Sequence, residues 1–419
     1  MTICFLADFR SPIARNWISY FAAGHRVHVL STHPAPPMDG VELHALTAGG
    51  PESRSRRKAR FSRWLDPASR TGQLASHWRD HWMLPAEVLR LTATVRGWLA
   101  RIGPDLVHSL RIPIEGQLGG LAGARPHLIS AWGNDFTLFA DRSWPHRMLT
   151  RRALESCAGF LADAQVDVER AHGRGLAATV PTLVVPGAGG VDNGIFFPAR
   201  PPEPSPGWSG DLAPLATLAP GRRLIVNARG FRTYVRNDIF FAAMAEVAAV
   251  HPEIQVVGVG LRGWQPVEEL VMRLGLSSRV LLTGALSQRE LASLHRQAAV
   301  MVSPTEHDGT PNTLLETMAC GGLPVCGDLP SIREWIDDGV NGLLAPVDRP
   351  APLAAALRRA LTDGELAARA RRLNPAIVRE RASYEPSMAK AWAFYDQVLR
   401  RSRSTVPAGI KLIRKEAGS

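Results

Sequence analysis

The sequence predicts an α/β protein built as two domains facing one another across a central cleft, and three observations carry that prediction. Its 419 residues, 45% of them hydrophobic, exceed what one core usually supports and suggest two domains of roughly 200 residues each. Short β-branched or apolar runs alternate with helical stretches along the chain, the pattern of parallel strands joined by crossover helices. A Pro- and Gly-rich segment, Pro198 to Gly210, suits neither structure and reads as a linker between two such series.

In the first series, residues 1–197, strands are expected at TICFLAD, HRVHVLST, DLVHSL, HLISAW, GFLAD and TLVVP. The linker is taken as 198–219. The second series, 220–385, opens with RLIVNAR and continues with EIQVVGVG, RVLLTG, AVMVSP and LPVCG. Each half therefore reads as Rossmann-like. Met388, Trp392, Tyr395 and Leu399 follow 4-3-4 spacing and place one apolar stripe on a helix over 386–402. A basic tail, 403–419, follows.

A formal charge of +11 favours a polyanionic partner in general: nucleic acid, an acidic membrane surface or a phosphorylated substrate. Much of the charge is local. ESRSRRKARFSRW sets Arg54, Arg56, Arg57, Lys58, Arg60 and Arg63 beside Phe61 and Trp64. A solvated loop and a frayed terminus are the ordinary reading of the two basic segments; peripheral contact with an acidic membrane surface is the alternative. No RNA- or DNA-binding signature accompanies the charge, which speaks against nucleic acid. No apolar run approaches the roughly 18 residues of a membrane span, and MTICFLADFR reaches Asp8 and Arg10 too early for a signal peptide. The expected location is the cytoplasm, with association at the inner membrane face as the alternative. Cys4, Cys157, Cys320 and Cys326 form no CxxC pair and read as reduced, mostly buried thiols.

In parallel α/β sheets, ligands collect at the carboxyl ends of the strands, where loops and helix N-termini meet. VVGVGLRG supplies Gly258, Gly260 and Gly263 there, but departs from GxGxxG and lacks the downstream acid of a dinucleotide site. Neither a Gx4GK[ST] loop nor a GxSxG elbow occurs, which disfavours P-loop phosphoryl transfer and α/β-hydrolase chemistry. The richest candidate is DGTPNTLLETMACGGLPV, Asp308 to Val325, where a turn runs into a helical pattern that stops at a Gly pair. Such a turn can be purely structural, with Asp308 or Asn312 capping the helix.

The longer run SPTEHDGTPNTLLETMACGGLPVCGDLPSIREWIDDGVNGLLAPVD resembles the donor-site signature of the family 4 retaining glycosyltransferases, which have the two-domain GT-B fold. RNWISYFAAGHRVHVLST, ISAWGNDF, VVPGAGGVDNGIFFP and RVLLTGALSQRELASLHRQAAVMVSPTEHDGTPNTLLE are similar to other segments of that family. The resemblance is strongest over 220–350. It implies a nucleotide-diphosphate sugar as donor substrate, no other cofactor, no metal, and a cell-envelope polysaccharide, other glycan or lipid as acceptor. It also implies that the C-terminal helix crosses back to the first domain.

Carried over by spacing, the acid that holds the ribose is Glu316, and the acid that contacts the transferred sugar falls on Asp308, where the family favours Glu. Glu306 stands close enough in sequence to compensate. The amides around Gly309, Thr310, Pro311, Asn312 and Thr313 would face the diphosphate, with Gly258 and Gly284 completing the expected donor set. The family's Arg falls on Arg229. Its Lys is missing, with Arg236 the expected substitute and Arg232 next. Either Arg could instead be a surface ion-pair former. On the acceptor side Trp132 stands where many members have His; Asp135 in WGNDF is the expected positioning acid, or else a helix cap. His108 either approaches the cleft or is hydrogen-bonded at a strand end. In the front-face mechanism proposed for the family, the leaving phosphate itself takes the acceptor proton. Two rival readings stay open: a GT-B sugar-nucleotide epimerase, and a binding protein that kept the fold and lost catalysis.

Overall fold

The computed structural model of the protein describes residues 1–46, 84–199, 208–218 and 221–404. The basic run from Arg54 to Arg63 and residues 405–419 of the tail lie outside the described residues.

The first sheet contains β1 Thr2–Ala7, β2 Arg26–Ser31, β3 Val41–Ala45, β4 Leu106–Ser109, β5 His127–Ala131, β6 Gly159–Ala162 and β7 Thr182–Val184. Its order is β3-β2-β1-β4-β5-β6-β7 and every pairing is parallel. Around it lie α1 Pro12–Ala22, α2 Leu84–Ile102, α3 Gln117–Ala122, α4 Trp144–Glu155 and α5 Gln165–His172. The second sheet contains β8 Arg223–Asn227, β9 Ile254–Gly258, β10 Val280–Leu282, β11 Ala298–Ser303, β12 Pro324–Gly327 and β13 Leu343–Ala345, ordered β10-β9-β8-β11-β12-β13 and again parallel. Its helices are α6 Asn237–Val250, α7 Gln265–Arg273, α8 Gln288–Gln297, α9 Asn312–Ala319, α10 Pro330–Arg333, α11 Pro350–Thr362 and α12 Gly364–Arg381. The chain thus folds as two Rossmann-like α/β domains. The interior strands are apolar runs because helices cover both faces of a parallel sheet.

Two strands were not anticipated, and both are edge strands. β3 reads VELHA and mixes half-buried and exposed residues, so it lacks the apolar run of a central strand. β13 is three residues long inside NGLLAP. The expected linker also contains structure: Gly210–Thr217 form a 3-10 helix whose Leu212 and Leu215 bury against Leu224, Val226 and Val257 of the second domain. The Pro- and Gly-rich run up to Gly210 suggested irregular chain, whereas the apolar residues after it gave the segment a core to join. The chain crosses between domains earlier than residue 197. Val191 and Phe196 pack with Leu314, Met318 and Ile332, and Val191 exchanges backbone hydrogen bonds with Ala382 and Tyr384, 2.7 and 2.9 Å.

The last helix, α13 Tyr384–Ser404, packs onto the first domain. Met388, Tyr395 and Leu399 are buried and Trp392 partly so, in one cluster with Phe5, Trp17 and Phe21; the Tyr395 ring stacks on Phe21, centroids 4.6 Å apart. Under this helix the Tyr395 hydroxyl accepts from Trp17 Nε1 at 3.0 Å and pairs with His108 Nδ1, while His108 Nε2 pairs with Ser130 Oγ at 2.8 Å. His108 is therefore a strand residue in a closed, fully buried network, away from the cleft. The four cysteines are buried and free.

Tyr395→Phe removes the hydroxyl that satisfies Trp17 and His108 and leaves both polar atoms buried without it. The expected loss is about 1–3 kcal/mol, read from urea unfolding. A stability equal to that of the parent would show that the network does not hold α13 to the first domain.

Candidate functional site

Each sheet reverses strand order once, between β1 and β4 in the first and between β8 and β11 in the second. Ligands bind beyond the carboxyl ends of strands at such points. In the second domain β8 leads to Arg229 and β11 leads to Asp308, and the two side chains meet there. Arg229 Nη2 pairs with Asp308 Oδ2, and Arg229 Nη1 donates to Thr313 Oγ1 at 3.2 Å. Thr305 Oγ1 donates to the same Asp308 oxygen at 3.3 Å. Burial raises the Asp308 pKa, and Arg229 opposes that shift.

Glu316 lies one turn into α9. Burial pushes its carboxyl up to about 7, with Arg229 pulling the other way. Its Oε2 is buried without a hydrogen-bond partner. The same holds for Arg229 Nε, so the site contains an unused acceptor and an unused donor. Glu316 and Asn312 line a cavity of ≈ 210 Å³ together with Pro12 and Asn16 of α1, Asp192 and Gln288. The first amides of α9 have no acceptor within the helix and add positive potential at its start.

Arg236 is held differently. Its guanidinium grips Asp238 through Nε and Nη2, 2.9 and 2.8 Å, and Glu306 through Nη1, so the cation stands beside the Asp308 turn already paired. Glu306 accordingly partners Arg236 rather than standing in for Asp308.

Several expected donor contacts are placed elsewhere. Gly258 is packed within the second domain: a Cβ there would meet Leu261 Cδ1 at 2.9 Å and Leu282 Cδ2 at 3.0 Å. The Gly284 amide already donates to Asp211 Oδ2 at 2.7 Å, and Asp211 comes from the 3-10 segment that sequence assigned to a linker. Gly309 and Thr310 face the first domain. A Cβ on Gly309 would collide with the Asp163 carboxylate, while Thr310 Oγ1 donates to the Asp163 carbonyl and accepts from Trp335 Nε1 at 2.9 Å. Pro311 precedes α9 as its cap.

The Asp135 carboxylate is bound within the first domain. It is 1% exposed and accepts from Arg111 Nε at 2.9 Å, Ile112 N at 3.1 Å and Trp132 N at 3.2 Å. Arg111 Nη2 adds a fourth donor; together they tie the loops after β4 and β5 to one another and leave that carboxylate little capacity for a substrate. Trp132 in turn packs against Gly187.

Sequence reasoning missed Asp163 and Glu334, which join the two domains beside the site. Asp163 follows β6; it accepts from Gly133 N at 3.1 Å and touches Gly309. Burial, then Asp167 and Asp308 nearby, hold its carboxyl well above the usual range. Glu334 accepts from the backbone N–H groups of Gln165 and Val166, 2.8 and 3.0 Å, capping α5 across the domain boundary. An acid directly after a strand in GFLAD was the available signal for Asp163; a cap supplied from 169 residues away leaves none for Glu334.

Comparison with known proteins defines the class. Residues 222–363 match the family described as Glycosyl transferases group 1. D-inositol 3-phosphate glycosyltransferase of Geodermatophilus obscurus is 28% identical over 348 residues, 77% of this chain and 75% of that one. Phosphatidyl-myo-inositol mannosyltransferase of Mycolicibacterium smegmatis is 34% identical over 134 residues, 31% of this chain and 33% of that one. Among solved structures, sucrose-phosphate synthase from Thermosynechococcus elongatus superposes with a TM-score of 0.73 at 18% identity, covering 96% of this chain and all of that one (100%). HepE of Anabaena, solved with UDP-glucose, gives 0.67 at 16% identity over 96% and 100%. The fold is GT-B. The chain is a glycosyltransferase, with the group 1 match lying in its second domain.

The Glu316 carboxyl makes stability depend on pH in a defined direction. Its pKa is raised from 4.5 to about 7 in the folded state, so the unfolded chain releases that proton first. Stability from this group is complete below about 4.5 and is lost as pH rises through about 7. Glu316→Gln has no proton to lose and should gain on the parent by about 1–2 kcal/mol between pH 4.5 and 8, after allowance for water reaching the cavity. Urea unfolding across that range measures it; parallel profiles would show that Glu316 does not titrate there.

Proposed function

We propose that the protein moves a sugar from a nucleotide-diphosphate sugar to a glycan or lipid-linked acceptor, with retention of anomeric configuration and without a metal in the chemistry. One observation carries this reading: Glu316 Oε2 and Arg229 Nε are buried and unpartnered in one site. An unpaired buried acceptor beside an unpaired buried donor suits a ligand that brings hydroxyl donors and anionic oxygens together. The ribose and diphosphate of a nucleotide sugar supply both. Glu316 accepts from the ribose hydroxyls. Arg229 and the α9 amides receive the diphosphate, whose charge grows as the sugar leaves. Asp308 holds the Arg229 fork in place and turns its other oxygen to the transferred sugar. Arg236 adds charge from the side while bound to Asp238 and Glu306.

The buried Asp135 and the absence of a His at Trp132 leave the acceptor proton to the leaving phosphate, which supports the retaining reading. Two relatives are named for inositol phosphate and phosphatidyl-inositol acceptors, which supports a polyol or a lipid-linked acceptor. Contact with an acidic membrane surface through the basic segment belongs to the same reading.

Calorimetry with free nucleoside diphosphates separates the two acids. Glu316→Gln should weaken binding by about 1–3 kcal/mol, one lost charged hydrogen bond. Asp308→Asn should bind the diphosphate no more weakly than the parent and lose turnover, because its sugar contact matters as charge develops at the reacting carbon. If both variants bind and turn over like the parent, the carboxylates serve only the turn and the donor assignment fails. EDTA should leave turnover unchanged, and NMR of the product should show the donor's anomeric configuration; loss of activity restored by magnesium, or an inverted product, overturns the corresponding part.

A further inference from the structure

The far edge of the first sheet brings together three side chains that glycosyl transfer does not use. β3 is the edge strand, and its parallel register with β2 sets His28 beside Glu42 and Leu30 beside His44. Side chains two residues apart on a strand share a face, so His28, Glu42 and His44 converge. His28 Nδ1 lies 3.2 Å from His44 Nε2 and 3.4 Å from Glu42 Oε2, and one ligand atom from each residue lies within 4.8 Å of the others. The His28 side chain is 5% exposed and the Glu42 side chain 50%; the His44 ring packs on Trp98 of α2, centroids 4.2 Å apart.

Hydrogen bonding alone serves this trio poorly. His28 Nδ1 faces both an imidazole nitrogen and a carboxylate oxygen. With a proton it donates to only one of them; without one, its lone pair faces the carboxylate. A cation at the centre satisfies all three acceptors at once. Ligand bonds of about 2.0–2.1 Å in a tetrahedron put ligand atoms about 3.3–3.4 Å apart, close to the two shorter separations. Glu42, the half-exposed member, has the freedom to close the third, and its Oε1 accepts from Arg26 at 3.1 Å, leaving Oε2 for the ion.

We propose that His28, Glu42 and His44 bind one zinc ion, with water in the fourth position, pinning the edge strand β3 to β2. Two imidazoles and one carboxylate suit zinc among the common divalent ions. The site is separate from the donor cleft, so its role is structural and independent of the glycosyl-transfer reading.

The test uses the full chain stripped with chelator. Zinc titrated against a competing chelator should bind at one ion per chain and raise Tm. Cobalt(II) in its place should give the intense visible bands of a four-coordinate ion. Glu42→Gln alters a half-exposed residue and should weaken zinc by at least about tenfold; His28→Gln/His44→Gln should abolish both signals. Zinc that leaves the parent's Tm unchanged, cobalt that stays six-coordinate, or equal zinc binding by parent and variants would each overturn the proposal, the last by locating the ion elsewhere.

Discussion

The ion pair between Arg229 and Asp308 stands where the second sheet reverses its strand order, and the rest of the site is arranged around it. Both side chains are largely buried, 13% and 11% exposed. Each would be costly there without the other. The pair sets the turn before α9, which aims the helix start and Glu316 into the cavity. It also leaves Arg229 Nε unspent. A site built from a neutralised pair plus one orphan donor and one orphan acceptor is poised for a ligand that is anionic at one end and hydroxylated at the other.

That turn is also where the domains touch. Thr310 and Gly309 rest on Asp163, Gly133 faces Asp308 across the gap, and Glu334 caps α5 from the other domain. The candidate site and the domain interface therefore share the 308–310 turn. The isolated bridge between Val191 and Ser383 and the anchored helix α13 form the second attachment between the halves. Burial, then Asp167 and Asp308 nearby, raise the Asp163 carboxyl well above the usual range, which favours its neutral form where the two faces meet.

Much of this was legible in sequence. The apolar runs of the interior strands marked the two sheets, because strands buried on both faces have no choice of composition. The 4-3-4 stripe at Met388, Trp392, Tyr395 and Leu399 marked α13. The helical pattern after the turn, together with the family resemblance, placed Glu316 and Asp308 at the start of a helix and Arg229 after a strand. Edge strands escaped for the converse reason: β3 is half solvated, and its His and Glu residues hide the pattern.

What sequence by itself determined is therefore local: element type, the helix start that offers free amides, and the residue types able to meet a diphosphate and a diol. Tertiary structure alone decided which of those groups remain available. Asp135 looked free and is consumed by Arg111, Ile112 and Trp132. Gly284 looked open and is bound to Asp211. Gly258 is packing, and Thr310 belongs to the domain interface. Whether a polar atom is spent depends on partners tens or hundreds of residues away, and no local pattern encodes a hydrogen bond across that distance.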